Sequence, residues 1–257
     1  MARLSANLGL LWPDRPLLER VAAAAEAGFA AVELHWPWDT PARTLGAACR
    51  DRGLALLSLN APLGGEGDFG LAALPGRAPE FRAGFRQAAD YAREAGCAMI
   101  HVLAGLAPDD PAHEATLLEN LDWAAAQAPD LTLLLEPMNR RDRPGYFYSR
   151  PVRTVALLDR LGRANLGLML DAYHAGLEGL DPLAEAAAFL PWLRHVQIAR
   201  VPDRHEPDPQ TAAALLDGLD RLGYAGWIGA EYNPAGPTEA GLGWAANLLG
   251  QPARAPA

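Results

Sequence analysis

The sequence predicts an α/β protein built as a single-domain (β/α)8 TIM barrel, and three observations carry that prediction. The chain has 257 residues, the length of one such barrel at ~250 residues. Short apolar runs recur eight times, each leading through a loop into an amphipathic stretch rich in alanine and leucine. Polar residues close several of these runs, at the strand ends where a barrel assembles its active site.

The runs cover residues 5–10, 31–35, 54–59, 99–103, 131–136, 166–171, 195–199 and 227–232. They are continuously apolar rather than alternating, as parallel strands covered by helices should be. Helices are expected near 15–27, 41–52, 78–95, 112–128, 150–162, 182–190, 209–222 and 237–249. Their starts are marked by Asp14-Arg15-Pro16, Thr40-Pro41, Asp181-Pro182 and Asp208-Pro209, which place a capping residue beside a first-turn proline. Gly28, Gly53, Gly96 and Gly223 follow helical stretches as C-caps. Eight units in 257 residues average about 32 residues, the size of one βαβ repeat. An open doubly wound sheet would use the same alternation, but no run leads immediately into a GxGxxG turn that opens a helix. The barrel is expected to span 1–250, with 251–257 a flexible tail.

Composition narrows the chemistry. Hydrophobic residues make up 50% of the chain, which excludes a disordered protein. Acidic residues number 31 against 22 basic ones, a net charge of −9, so nucleic acid and anionic membranes are disfavoured partners. All 22 basic residues are arginine; without lysine there is no Schiff base and no phosphate-loop amine. Any electrophile must therefore be a metal, an arginine or a set of hydrogen bonds. Cys49 and Cys97 fit no metal or disulfide spacing and read as small buried hydrophobes. No uninterrupted apolar stretch reaches ~18 residues and no secretion signal is evident, so a cytoplasmic protein is expected.

Four strand-end residues stand out. Glu136 ends a run of four leucines and a threonine, Asp171 ends Leu166–Leu170, Gln197 lies in His195-Val196-Gln197-Ile198, and Glu231 closes Trp227–Ala230. Carboxylates behind so much apolar sequence are costly to desolvate unless paired with a cation. On strands five to eight they would converge on one mouth as a hard, all-oxygen set suited to Mg²⁺ or Mn²⁺. The bland reading for any one of them is a strand-end residue satisfied by loop amides or an arginine. His174, on the turn after Asp171, faces either substrate or solvent; His101 is either a pocket residue or a satisfied core histidine. Glu33 is a further strand-end carboxylate whose alternative is a buried arginine partner, and His35 has a weaker case. Trp12, Trp36 and Trp38 are candidates for an apolar wall, or for ordinary packing.

Seven segments, in order along nearly the whole chain, carry a resemblance: Ser5-Ala6-Asn7-Leu8, Val32-Glu33, Leu74-Pro75-Gly76-Arg77, Leu135-Glu136-Pro137-Met138-Asn139, Asp171-Ala172-Tyr173-His174, His195-Val196-Gln197-Ile198, and Glu231-Tyr232 followed by Thr238–Leu242. With these the chain resembles hydroxypyruvate isomerases of the sugar isomerase/epimerase superfamily. The resemblance implies a divalent metal at Glu136, Asp171, Gln197 and Glu231, with Glu136 and Glu231 as proton-transfer bases in an aldose-ketose isomerisation. Departures from the family pattern at Leu59, Arg200 and Asn233, and in a shortened loop at 208–211, are expected to bear on substrate choice. Substrate contacts are expected from His174, His101 and Asn60, with Arg77 and Arg204 as forks for a substrate carboxylate. The partner is a small oxo acid or sugar, and homo-oligomerisation is left open. Three alternatives stay open as well: a keto-sugar 3-epimerase on the same scaffold, a non-catalytic sugar-binding barrel, and a metal-dependent endonuclease, the last disfavoured by the acidic charge.

Overall fold

The computed structural model describes residues 3–249; the tail expected at 251–257 lies outside the described residues. Nine parallel strand segments form one sheet: β1 (Arg3–Asn7), β2 (Ala31–Glu33), β3 (Ala55–Leu56), β4 (Ser58–Asn60), β5 (Met99–His101), β6 (Thr132–Leu135), β7 (Leu166–Asp171), β8 (Leu193–Ile198) and β9 (Trp227–Ala230). Their order, β3-β2-β1-β9-β8-β7-β6-β5-β4, ends on two consecutive segments of one chain stretch. The eight expected runs thus become eight barrel staves, the third of them broken at Leu57. The break has a packing cause. Leu57 packs in the barrel interior, yet its neighbour Ser58 and then Asn60 also line the central pocket, so the inward alternation slips by one residue. Backbone bonds from Leu57 N to Val32 O (2.8 Å), Leu34 N to Ser58 O (3.0 Å) and Asn60 N to His35 O (2.8 Å) carry the pairing through the break and close the cylinder.

Helices alternate with the strands: α1 (Leu17–Glu26), α2 (Ala42–Arg50), α3 (Ala78–Ala95), α4 (Pro111–Gln127), α5 (Pro151–Leu161), α6 (Ala172–Leu177), α7 (Pro182–Ala188), α8 (Pro209–Arg221) and α9 (Thr238–Gly241). Asp181 and Asp208 cap α7 and α8 as expected, Asp208 accepting from the N–H groups of Gln210 (3.1 Å) and Thr211 (2.9 Å). At α1 and α2 the cap positions are Pro16 and Pro41 themselves, with no side-chain cap from Asp14 or Thr40. The helix expected over 237–249 is instead one turn of α9 followed by a 3₁₀ turn at Leu242–Ala245. Gly241 and Gly243 interrupt it, each costing about 1 kcal/mol of helix propensity relative to alanine. Helix α6 was not expected; it forms because Asp171, the last residue of β7, doubles as its cap by accepting from Tyr173 N at 2.8 Å. No helix among the described residues is long and apolar enough to cross a membrane.

The strand period of two decides what fills the cylinder. Ala31, Leu57, Met99, Leu134 and Met169 make a small apolar cluster with Trp227, one residue from each of six staves. Two residues further along the same faces come Glu33, His101, Glu136 and Asp171, and from β8 and β9 Gln197 and Glu231. The larger core of leucine, alanine and aromatic side chains lies outside the sheet, under the helices. The barrel interior is thus apolar at one level and acidic at the next.

Candidate active site

The acidic level opens at the C-terminal rim into a cavity of about 630 Å³, a volume ordinary for a small-molecule site. Glu136, Gln197 and Glu231 line it, Asp171 lies behind the lining, and all four are buried. Strand register brings them together: Asp171 pairs with Gln197 across β7 and β8, and Gln197 with Gly229, two residues before Glu231. His101, Asn60, His174 and Arg204 line the same cavity.

Arg77 does not. Its guanidinium is held by Asp68 (3.0 Å) and by both oxygens of Glu80 (2.6 Å each), away from the cavity lining. A side chain on the loop before α3 meets the carboxylate one helical turn away sooner than it reaches the mouth. Arg204 is in the pocket but already engaged, its Nη2 donating to Glu231 Oε1 at 2.7 Å and to Asp171 Oδ2 at 3.2 Å. Of the positions expected to select substrate, Leu59 is fully buried in the outer core, Arg200 is tied to Asp203 on the surface, and Asn233 alone lines the cavity. Trp36 lines it too, whereas Trp12 is buried and bonded to Glu239, and Trp38 packs edge-on against Tyr91.

Three buried carboxylates share one guanidinium, and their proton affinities show the strain. Burial, then the charges of Glu231 and Asp171, raise Glu136 well above the ordinary carboxylate range. Burial lifts Asp171 as well, to about 7, against the opposing pull of Arg204. Glu231 moves the other way: burial would raise it, but His35 and Arg204 outweigh that and hold it down at about 2. Burial pushes His101 and His174 down to about 3, so both rings are neutral and add no compensating charge.

The residues present fit a divalent cation. Glu136 Oε1 and Gln197 Oε1 are buried without a hydrogen-bond partner, the condition expected of oxygens with a ligand still to bind. Among the described residues, the histidine and carboxylate ligand atoms found within 4.8 Å of one another are those of Glu136, Asp171 and His174, a grouping that does not include Glu231. The tautomer of His174 argues against its being a ligand. Its Nδ1 accepts from the backbone N–H of Asn139 at 3.2 Å and lies 2.5 Å from the same residue's Nδ2. The proton of the neutral ring therefore sits on Nε2, which faces Glu136 Oε1 (3.5 Å) and Asp171 Oδ2 (3.7 Å) as a donor with no lone pair to offer. The all-oxygen set of Glu136, Asp171, Gln197 and Glu231 is the better match to a hard ion.

Several lining residues had a weak case or none in the sequence. His35 reaches within 3.6 Å of Glu231 Oε1, and Asn7 donates to Glu231 Oε2 at 2.9 Å. Asp142 pins the loop after β6 by accepting from Tyr173 Oη (2.7 Å) and Asn139 Nδ2 (3.2 Å), which sets Arg141 and Arg143 on the cavity wall. The signal for these was the run Asn139-Arg140-Arg141-Asp142-Arg143, three arginines within four residues directly after the strand that carries Glu136.

Known proteins agree with this architecture. The family profile described as "Xylose isomerase-like TIM barrel" matches residues 21–248. The 2-oxo-tetronate isomerase of Cupriavidus necator is 42% identical over 260 residues, covering 98% of this chain and 100% of that protein. A Homo sapiens protein named "Putative hydroxypyruvate isomerase" is 40% identical over 258 residues, covering 94% of this chain and 93% of its own. The crystal structure of AP endonuclease, family 2, from Brucella melitensis superposes with a TM-score of 0.92 at 39% identity, covering 97% of this chain and 100% of that one. The chain belongs to the hydroxypyruvate isomerase family of the xylose isomerase-like TIM barrels.

Proposed function

We propose that the protein is a metal-dependent isomerase of a small 2-oxo acid, interconverting hydroxypyruvate and tartronate semialdehyde or acting on a closely related hydroxy-oxo acid. The observation that carries this reading is that Glu136, Asp171, Gln197 and Glu231 are buried together at the ends of four successive staves, with two of their oxygens unpartnered. The names of the relatives support the substrate class: hydroxypyruvate and 2-oxo-tetronate share a carboxylate, an adjacent carbonyl and a hydroxyl on the next carbon.

Glu136, Asp171, Gln197 and Glu231 would hold Mg²⁺ or Mn²⁺, which supplies a Lewis-acid charge for the oxygens that become negative during proton transfer. The protein's own groups do the rest. Glu231, held ionised by Arg204 and His35, takes the proton from the hydroxyl-bearing carbon. The resulting enediolate is reprotonated on the former carbonyl carbon from the Glu136 side, while the hydroxyl proton passes from the oxygen that becomes the new carbonyl to the oxygen that becomes the new hydroxyl. The two glutamates sit on opposite sides of the mouth, β7 and β8 intervening between β6 and β9. His174 Nε2 offers a hydrogen bond to a substrate oxygen. With Arg77 and Arg204 engaged elsewhere, the carboxylate clamp falls to Arg141 and Arg143. The Arg141 guanidinium lies 4.0 Å from Asp142, and Arg143 lies over the Phe69 ring at 4.3 Å.

Four outcomes follow from this assignment. Solvent-deuterium exchange into hydroxypyruvate with Mn²⁺ should be catalysed by the unaltered protein. Glu136→Gln and Glu231→Gln should each lower kcat by on the order of 10²-fold or more; near-normal turnover in both would contradict the roles given, and inversion at C3 of a keto sugar without carbonyl movement would indicate an epimerase. The raised proton affinities of Glu136 and of Asp171, the latter lifted to about 7 by burial, set a pH dependence: below a ligand's pKa its proton must leave before the carboxylate can ligate. Mn²⁺ binding followed by calorimetry should therefore tighten as pH rises, by up to about tenfold per unit, and a dissociation constant flat from pH 5.5 to 8 would count against it. Finally, Arg141→Ala should raise KM for the oxo acid by about tenfold, in line with loss of a charge-assisted hydrogen bond, while leaving a neutral ketose little changed. An equal loss on both substrates would remove Arg141 from carboxylate recognition.

A further inference from the structure

Glu33 lies at the end of β2, beneath the cavity floor and 1% exposed, and the arginine partner expected for it is not there. It is held instead by four donors from two other staves, β1 and β8. Ser5 Oγ (2.8 Å) and His195 Nε2 (2.6 Å) bond to its Oε2; Gln197 Nε2 (2.8 Å) and Asn7 Nδ2 (3.2 Å) bond to its Oε1. Space for the carboxylate is made by β9, where a Cβ on Gly229 would come within 2.4 Å of Glu33 Oε1. None of the roles described above uses this residue.

Its geometry has a consequence for the two amides. A side-chain amide can turn over at little cost, exchanging its oxygen for its nitrogen, and only its partners decide which way it faces. Gln197 has carboxylate oxygens on one flank, from Glu33 and from Glu231, to which its Nε2 donates. Carboxylates accept and do not donate, so the NH₂ must face them and Oε1 must face the other way. That oxygen is the buried, unpartnered one. Asn7 is fixed likewise: its Nδ2 donates to Glu33 and to Glu231 Oε2 (2.9 Å), and its Oδ1 accepts from Gly9 N (2.9 Å). Both amides that touch Glu231 thus also donate to the same second carboxylate, Glu33.

We propose that Glu33 is a positioning residue for the cation site: it holds the Gln197 amide with oxygen rather than nitrogen toward the ion, and through Gln197 and Asn7 it sets Glu231. The inference rests on the reading that Glu136, Asp171, Gln197 and Glu231 bind a divalent cation. It concerns orientation, not charge, and that makes it separable from other roles. In Glu33→Gln one oxygen survives for the two amides, because the Ser5 hydroxyl can accept and the His195 proton can move to Nδ1. In Glu33→Met the shape is kept but the Glu33 acceptor is lost, so the Gln197 and Asn7 amides are left with Glu231 as acceptor, a carboxylate itself assigned to the ion, and the Gln197 amide is held less firmly.

The test is the dissociation constant for Mn²⁺ of the full chain, measured by the paramagnetic resonance of free ion, beside the melting temperature of the metal-free protein. Glu33→Met should weaken Mn²⁺ by about 10–100-fold, the usual effect of losing a group that orients a ligand, whereas Glu33→Gln should stay within about threefold. A purely structural role would lower the melting temperature and leave the dissociation constant alone; a purely electrostatic one would weaken both variants equally. Either result overturns the inference. Should Glu33→Met fail to fold, Gly229→Ala asks the same question by displacing the carboxylate while keeping its charge, and is expected to weaken Mn²⁺ as well; unchanged affinity there would overturn the inference. If the unmutated protein binds no Mn²⁺, the cation site itself falls, an outcome distinct from normal binding that is indifferent to residue 33.

Discussion

Negative charge confined inside a closed cylinder is the constraint on which this structure turns. The strand period lifts Glu33, Glu136, Asp171 and Glu231 into the barrel above a level of alanine, leucine and methionine, where water cannot screen them. An unpaired buried carboxylate costs several kcal/mol, and the neighbourhood supplies one guanidinium, from Arg204, and histidines that burial keeps neutral. The cluster is solved in two ways at two depths. Glu33 is satisfied by four hydrogen-bond donors and is complete without a ligand. Glu136, higher up, has an oxygen that no hydrogen bond satisfies, and its elevated proton affinity marks it as the group that a cation would relieve most.

This division explains why the chemistry sits at the rim rather than deeper. Below, the polar groups are used up on one another; above, the cavity widens and is walled by arginines 141 and 143, Tyr173 and Trp36. A small anionic oxo acid entering there meets cationic side chains on the wall first and carboxylates at the floor last. Charge of the opposite sign at the floor is therefore part of what a productive complex requires, and it orients the ligand with its carboxylate outward.

Much of this was legible in the sequence, and the limits have physical causes. The staves and most helices follow from apolar runs and from proline and glycine punctuation, because those signals are local. Glu136, Asp171, Gln197 and Glu231 could be found because each stands at a strand end in the same register, so the topology alone brings them together. Helix α6 was hidden since its cap, Asp171, also reads as a strand residue and a ligand. Arg77 was misplaced for a different reason: a long flexible side chain pairs with whichever carboxylate is nearest in three dimensions, and Glu80 and Asp68 are invisible as its partners without the loop's path. The four contacts of Glu33 come from residues up to 164 positions away, and nothing local announces them.

The central claim is that one cation is bound by four side-chain oxygens from neighbouring staves. The most direct measurement is anomalous X-ray diffraction at the manganese edge from crystals soaked in Mn²⁺. The account predicts a single strong peak at about 2 Å from oxygens of Glu136, Asp171, Gln197 and Glu231. A peak held by Glu136, Asp171 and His174 with Gln197 turned away, or none at the barrel mouth, would contradict it.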